Sequence, residues 1–320
     1  MKRRKFIALG IGGLAGGVAC AAGTRYLLGQ TDSSIARYSL SGDTPSVETE
    51  PLFRFAAVGD VGTGAWPQYA VAQALFQYWK NNPFDRVLMT GDNIYPDGEI
   101  EQIQSVFEQP YSDLLSANVK FHASLGNHDF RTRKGIDQIN YRGYHMAGRY
   151  YTFTQQIAAQ QSVQFFVLDT NYAKDYLRSD RTSPDSWAAQ LRWLDANLTR
   201  SSATWKIVYA HHPIYSSGTH GSNPQLIADL APIFADHGVQ LYLNGHDHNY
   251  ERTQSIAGTT YLTTGNGAKL RPVGRSPWTA HATSQLGFTA FEVHANRLLI
   301  KAINTDHQVF DQAQISLTAA

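Results

Sequence analysis

Arg86-Val87-Leu88-Met89-Thr90-Gly91-Asp92-Asn93-Ile94-Tyr95 is an apolar run that stops at a glycine followed by metal-binding side chains. Four further segments end in such side chains, three of them through a glycine. Residues 52–58 lead into Gly59-Asp60-Val61-Gly62, residues 119–125 into Gly126-Asn127-His128-Asp129, residues 205–210 into His211, and residues 239–243 into Gly245-His246-Asp247-His248. Each apolar run predicts a strand, and helical spacing is read between them over residues 67–80, 186–198 and 224–236. In the first of these helices Ala70, Val71, Ala74, Leu75 and Tyr78 share one face, with Pro67 at an early position that tolerates it. Trp66, Tyr69, Trp187 and Trp193 fall within these patterns and are expected in the core. Strand, ligand loop and helix in repetition make an α/β layout. In such sheets sites form beyond the carboxyl ends of strands, where every candidate ligand lies. The tail is strand-rich over residues 259–264, 287–293, 298–304 and 308–317, which predicts a second sheet packed on the first.

The donors are carboxylates, an amide, imidazoles and a phenol, a mixture suited to a pair of hard or borderline ions. Two adjacent ions are a standard device for attacking a phosphoester with water. The chain has 320 residues, 42% of them hydrophobic and 17% charged, as expected of a globular protein with a large core. Its formal charge is +1, but four positive and no negative charges lie in residues 1–22, leaving a body of net charge −3. A mildly acidic body argues against gripping nucleic acid by its phosphates. Cys20 is the sole cysteine, which excludes an internal disulfide and a cysteine-rich zinc site.

Residues 1–30 read as an export signal. Lys2-Arg3-Arg4-Lys5 precedes an apolar, Gly/Ala-rich stretch over residues 7–22, with small residues at Ala19-Cys20-Ala21. The adjacent arginines resemble a twin-arginine leader, which carries folded proteins across a bacterial membrane. A periplasmic or cell-envelope location follows, either after cleavage or with a membrane or lipid anchor retained at the N-terminus. Residues 31–50 are rich in Ser, Thr, Asp and Gly and read as a flexible tether, and residues 51–320 as the catalytic domain.

The motif series Asp-x-Gly, Gly-Asp-x-x-Tyr, Gly-Asn-His-Asp, Val-x-x-His and Gly-His-x-His resembles that of the purple acid phosphatase branch of the calcineurin-like metallophosphoesterases. The chain length suits the small, tartrate-resistant-like form, and the resemblance runs from Phe53 to about Gly267. It implies a four-layer fold, with two mixed β-sheets packed as a sandwich and flanked by helices. It also implies Fe(III) held by Asp60, Asp92, Tyr95 and His248. Asp92 would bridge to a divalent metal (Fe, Zn or Mn) completed by Asn127, His211 and His246. Tyr95 is the sharpest of these, because a phenol with a pKa near 10 binds as phenolate at neutral pH only to a strongly Lewis-acidic ion.

The implied activity is hydrolysis of phosphate monoesters by a metal-held hydroxide, with small phosphorylated substrates as the partners. His128 matches the family's group that protonates the leaving alkoxide or binds the phosphoryl oxygens, and His220 matches a substrate-pocket histidine. Both are read as electrostatic and acid catalysts, and Asp129 is expected to orient the His128 ring. His212 is expected on the opposite side of the strand end, in a structural role. His122, His145, His237, His281, His294 and His307 fit no ligand motif. Asn249, Tyr250 and Arg252 are read either as pocket rim or as ordinary packing, and Gly265-Asn266-Gly267 as a turn near the metals or a simple tight turn. The same ligand set would serve a phosphodiesterase or nucleotide pyrophosphatase. A non-catalytic surface-binding protein is the remote alternative, disfavoured because no ligand is missing.

Overall fold

A computed structural model describes residues 50–174 and 183–317. The export signal and residues 31–49 of the tether lie outside the described residues.

Among the described residues thirteen strands form two sheets. In chain order they are β1 (Phe53–Val58), β2 (Arg86–Met89), β3 (Lys120–Ala123), β4 (Tyr151–Ala158), β5 (Gln161–Val167), β6 (Trp205–Tyr209), β7 (Leu241–Asn244), β8 (Tyr250–Thr253), β9 (Thr260–Thr264), β10 (Thr279–Thr283), β11 (Gly287–Val293), β12 (Arg297–Asn304) and β13 (Val309–Ser316). One sheet has the order β13-β12-β11-β1-β2-β3, the other β10-β8-β9-β7-β6-β5-β4. Both are mixed. β1, β2 and β3 run parallel, as do β5, β6, β7 and β9, while β11 to β13, β4, β8 and β10 pair antiparallel.

The strand period of two divides the core into layers. Phe53, Phe55 and Ala57 of β1 face the other sheet, where Phe165, Trp205, Ile207 and Tyr209 meet them. Phe55 stacks on Phe291 of its own sheet at 4.5 Å and meets Phe165 of the opposite sheet edge-on at 5.3 Å. Ala56 and Val58 face outward, under Val71, Ala74 and Leu75 of the helix Trp66–Asn81. On the far side Val208 and Tyr242 pack beneath the helices Trp187–Arg200 and Pro224–His237. The latter begins where Asn223 Oδ1 accepts from the Gln225 and Leu226 N–H groups and ends at left-handed Gly238. The result is four layers: helix, sheet, sheet, helix.

Two expectations are corrected. The tail does not build a second sheet of its own. β9 and β10 join the seven-stranded sheet, whereas β11 to β13 extend the sheet of β1, to which β11 pairs antiparallel from Phe53↔Val293 to Ala57↔Thr289. Trp66 is not core but 75% exposed, because it occupies the solvent side of the first helical turn, and Tyr69 is exposed as well.

A polar tie joins β13, the edge of one sheet, to β8, the strand next to the edge of the other. Asp311 of β13 accepts from Arg252 Nε at 2.7 Å and Nη2 at 3.0 Å, and from Tyr250 Oη at 2.7 Å. Burial works to raise the Asp311 pKa, but the hydrogen bonds from Arg252 and Tyr250 outweigh it and hold the carboxyl below its usual range. Such a group adds stability that is complete above the ordinary carboxylate pKa and lost as pH falls through its lower folded value. Asp311→Asn should therefore cost about 1–3 kcal/mol at neutral pH. Denaturant titration of both proteins should show the gap narrowing in acid, and a gap independent of pH would contradict this account.

Candidate metal centre

β1, β2 and β3 of one sheet and β6 and β7 of the other present their carboxyl ends to a common rim, and the five motif loops follow those ends. Asp60, Asp92 and His246 hold left-handed backbone angles, with φ of 57°, 53° and 69°. Non-glycine residues adopt these at a cost of order 1 kcal/mol each, so the surrounding fold imposes the turns. The glycines before the ligands make room for neighbouring carboxylates. A Cβ on Gly126 would sit 2.1 Å from Asp92 Oδ1, and one on Gly245 would sit 2.2 Å from Asp60 Oδ2.

All seven residues read as ligands are brought together. Tyr95 Oη lies 3.2 Å from Asp60 Oδ1 and 3.3 Å from His248 Nε2, and His248 Nε2 lies 3.4 Å from Asp60 Oδ1. On the other side His211 Nε2 lies 3.1 Å from Asn127 Oδ1, 3.2 Å from His246 Nδ1 and 3.4 Å from Asp92 Oδ1. Ligand atoms of Asp60, Asp92 and His211 fall within 4.8 Å of one another. The His211 Nδ1–H donates to the Thr90 carbonyl at 2.9 Å, which turns the Nε2 lone pair toward the cluster.

The donor set fits a pair of cations. Asp60 and Asp92 are buried, and two carboxylates side by side out of water need positive charge between them. Burial, with Asp92 beside it, pushes the Asp60 carboxyl well above its usual range despite the opposing effect of His211. Burial also acts to raise Asp92, but His211 and the His128 N–H, which donates at 3.0 Å, bring it below its ordinary value. Burial and then the two aspartates push the Tyr95 phenol far above its normal pKa, so the protein alone keeps it protonated and only a strong Lewis acid would make it a ligand. Burial, aided by Arg271 and Lys269, lowers His248 to about 4, which leaves a neutral imidazole with a lone pair to give.

The two proposed catalytic histidines flank this cluster. The His128 ring lies 4.5 Å from that of Tyr95, and its Nδ1–H donates to the Pro96 carbonyl at 2.5 Å. His220 stacks on His246 at 4.1 Å between ring centroids.

Asp129 does not orient the His128 ring. Its buried carboxylate instead accepts from the N–H groups of Gly126 (2.7 Å), Asn93 (2.9 Å) and Ile94 (3.0 Å) and from Gln138 Nε2 (3.0 Å). It thereby clamps two ligand loops together, because a short carboxylate lodged between them meets backbone donors before it can reach a ring. His212 is also misjudged by the sequence. Its ring lies 4.5 Å from that of His246 and its Nδ1 lies 2.8 Å from Thr170 Oγ1, so it belongs to a His211–His212–His246 group. The doubled His211-His212 was the available signal.

Asp247, between two ligands, went unassigned. Its carboxylate accepts from Ser216 Oγ at 2.5 Å and from the His220 N–H at 2.9 Å, which sets the loop that carries His220. Tyr250 and Arg252 prove to be packing residues, bound to Asp311. His122 stacks on Phe153, and His237 and His281 pair with Asp195 and Asp311.

The calcineurin-like phosphoesterase family model matches residues 53–250. Purple acid phosphatase 17 of Arabidopsis thaliana is 31% identical over 244 residues, covering 70% of this chain and 72% of its own. Tartrate-resistant acid phosphatase type 5 of Sus scrofa is 30% identical over 244 residues, covering 69% and 72%. Among solved structures, purple acid phosphatase PPD1 from yellow lupin seeds superposes with a TM-score of 0.68 at 18% identity, over 83% of this chain and 54% of that one. GAP50, the anchor in the inner membrane complex of Plasmodium, superposes with a TM-score of 0.73 at 22% identity, over 83% and 89%. Five ligand loops converging on one rim, on a four-layer fold with these relatives, place the chain in the purple acid phosphatase branch of the calcineurin-like phosphoesterases.

Proposed function

We propose that this chain, a metal-dependent phosphatase, hydrolyses small phosphate monoesters at the cluster of Asp60, Asp92, Tyr95, Asn127, His211, His246 and His248. The observation that carries the reading is the buried convergence of Tyr95, Asp60 and His248 beside Asp92, Asn127, His211 and His246. Asp60, Tyr95 and His248 would hold Fe(III), Asn127, His211 and His246 a divalent ion (Fe, Zn or Mn), and Asp92 would serve both. Two such ions would neutralise phosphate charge and make water acidic enough to serve as the nucleophile.

The protein's own groups do the rest. Neutral imidazoles and an amide add no negative charge on the second side, so the centre keeps its pull on phosphate. The Pro96 carbonyl fixes the His128 proton at Nδ1, which leaves Nε2 as the atom that takes up and gives a proton to the leaving alcohol. His220, an acceptor at Nε2 from Arg271, is positioned as a hydrogen-bonding group for the phosphoryl oxygens, and Asp247 holds its loop in place. Asp129 keeps the loops of Asp92 and Asn127 at a fixed separation. The twin-arginine-like leader and the acidic body support an exported, periplasmic or cell-envelope enzyme without affinity for nucleic acid.

Metal analysis with a visible spectrum tests the centre directly. The iron-replete protein should be coloured by phenolate-to-iron charge transfer. Tyr95→Phe should lose that band while retaining bound metal, and Asp92→Ala should lose both metal and turnover. A colourless, active, iron-replete protein would refute the assignment of Tyr95. His128→Ala and His220→Ala should keep both metals and lower kcat by ~10²–10⁴, the usual worth of a positioned acid–base group. Unchanged turnover in both variants would remove the histidines from the mechanism.

A further inference from the structure

β5 runs parallel to β6, so its carboxyl end reaches the same rim, where Asp169-Thr170-Asn171 follows it without supplying any of the ligands. Two of these side chains each hold a different ligand loop. Asn171 Nδ2 donates to the carbonyls of Leu125 and Gly126 at 3.3 and 3.2 Å, immediately before ligand Asn127. Thr170 Oγ1 accepts the His212 N–H at 3.2 Å and lies 2.8 Å from His212 Nδ1, next in the chain to ligand His211. Among the described residues, the side-chain hydrogen bonds of this segment reach neither the loop of Asp60 nor that of Tyr95.

Asp169 and Arg149 anchor the segment. Arg149 Nη1 donates to Asp169 Oδ2 at 2.8 Å, with Asp169 fully buried and Arg149 9% exposed. Asp169 Oδ1 accepts from the Asn171 N–H at 3.0 Å and from its Nδ2 at 2.8 Å, which fixes the angle of the amide. Gln190 holds the Asp169 backbone from the helix Trp187–Arg200, accepting its N–H at 3.0 Å and donating to its carbonyl at 3.2 Å. The Arg149 guanidinium also packs between the rings of Tyr172 and Phe130, 5.3 and 5.8 Å from their centroids. The Asn127 loop is thus gripped at Gly126 by Asn171 and at Phe130 by Arg149. A buried ion pair is a poor source of net stability, so its worth here lies in the geometry it imposes. An amide oxygen is a neutral donor whose use as a ligand depends on where its loop is held.

We propose that Arg149, Asp169, Thr170 and Asn171 are positioning residues for one half of the centre. They set the spacing of Asn127 and His211, and with it the affinity for the divalent ion, without acting on Asp60, Tyr95 and His248. This rests on the division of ligands between two ions given above.

The experiment titrates the iron-loaded full chain with Zn²⁺ while following the phenolate-to-iron band. Asn171→Leu keeps the volume and removes the donor, and Thr170→Val keeps the shape and removes the hydroxyl. Each should weaken Zn²⁺ binding by about 10–100-fold, the usual worth of a group that orients a ligand, while the band keeps its intensity per iron. Arg149→Lys, which leaves Asp169 a cation, should lose less Zn²⁺ affinity than Arg149→Met. Unchanged Zn²⁺ affinity in the folded variants, or loss of the band in step with Zn²⁺, would overturn the positioning role. An unmutated protein that binds no Zn²⁺ or shows no band would instead overturn the two-metal reading itself.

Discussion

Two buried carboxylates set side by side are the constraint from which the rest of this molecule follows. Asp60 and Asp92 end neighbouring parallel strands, and the fold removes both from water. Left to themselves they would compete for protons, as the raised Asp60 and lowered Asp92 indicate. Cations resolve that conflict, and the other donors complete their coordination. A phenol that burial and the same aspartates keep protonated becomes useful only against a strongly acidic ion, and the His248 imidazole, held neutral, supplies a lone pair without adding charge.

Holding such a cluster demands rigidity, and the architecture supplies it at two levels. The ligands sit on loops two to six residues beyond strands from both sheets, so the sandwich core positions them as a unit. Left-handed angles at Asp60, Asp92 and His246 turn the chain sharply inward, and glycines beside them leave space where a Cβ would collide with a carboxylate. Asp129 and Asp247 then lock the loops through backbone N–H groups. These two acids belong to the same motifs as the ligands yet act on the frame instead of the ions. The fold alone does not dictate the activity, since an acid phosphatase and a membrane-complex anchor share it.

Local pattern carried much of this reading. The apolar runs before Asp60, Asp92, Asn127, His211 and His246 became β1, β2, β3, β6 and β7, shifted by at most two residues at either end. Helical spacing located Trp66–Asn81, Trp187–Arg200 and Pro224–His237. β4, β5, β8 and β10 went unread, because their mixed or polar stretches acquire meaning only from the strands they pair with. The same limit applies to the tail, whose strands are plain in the sequence while their division between two sheets is not.

The amino-acid sequence by itself determined which side chains could bind metal and that each would stand at a strand end, since strand period and glycine breaks are local properties. Only the tertiary structure decided that His212 joins the cluster, that Asp129 clamps loops instead of steering a ring, that Trp66 faces solvent, and that Asn171 grips the loop of Asn127. Each of these depends on the partner a residue meets across a distance of many positions in the chain, and the identity of that partner is fixed when two sheets close face to face.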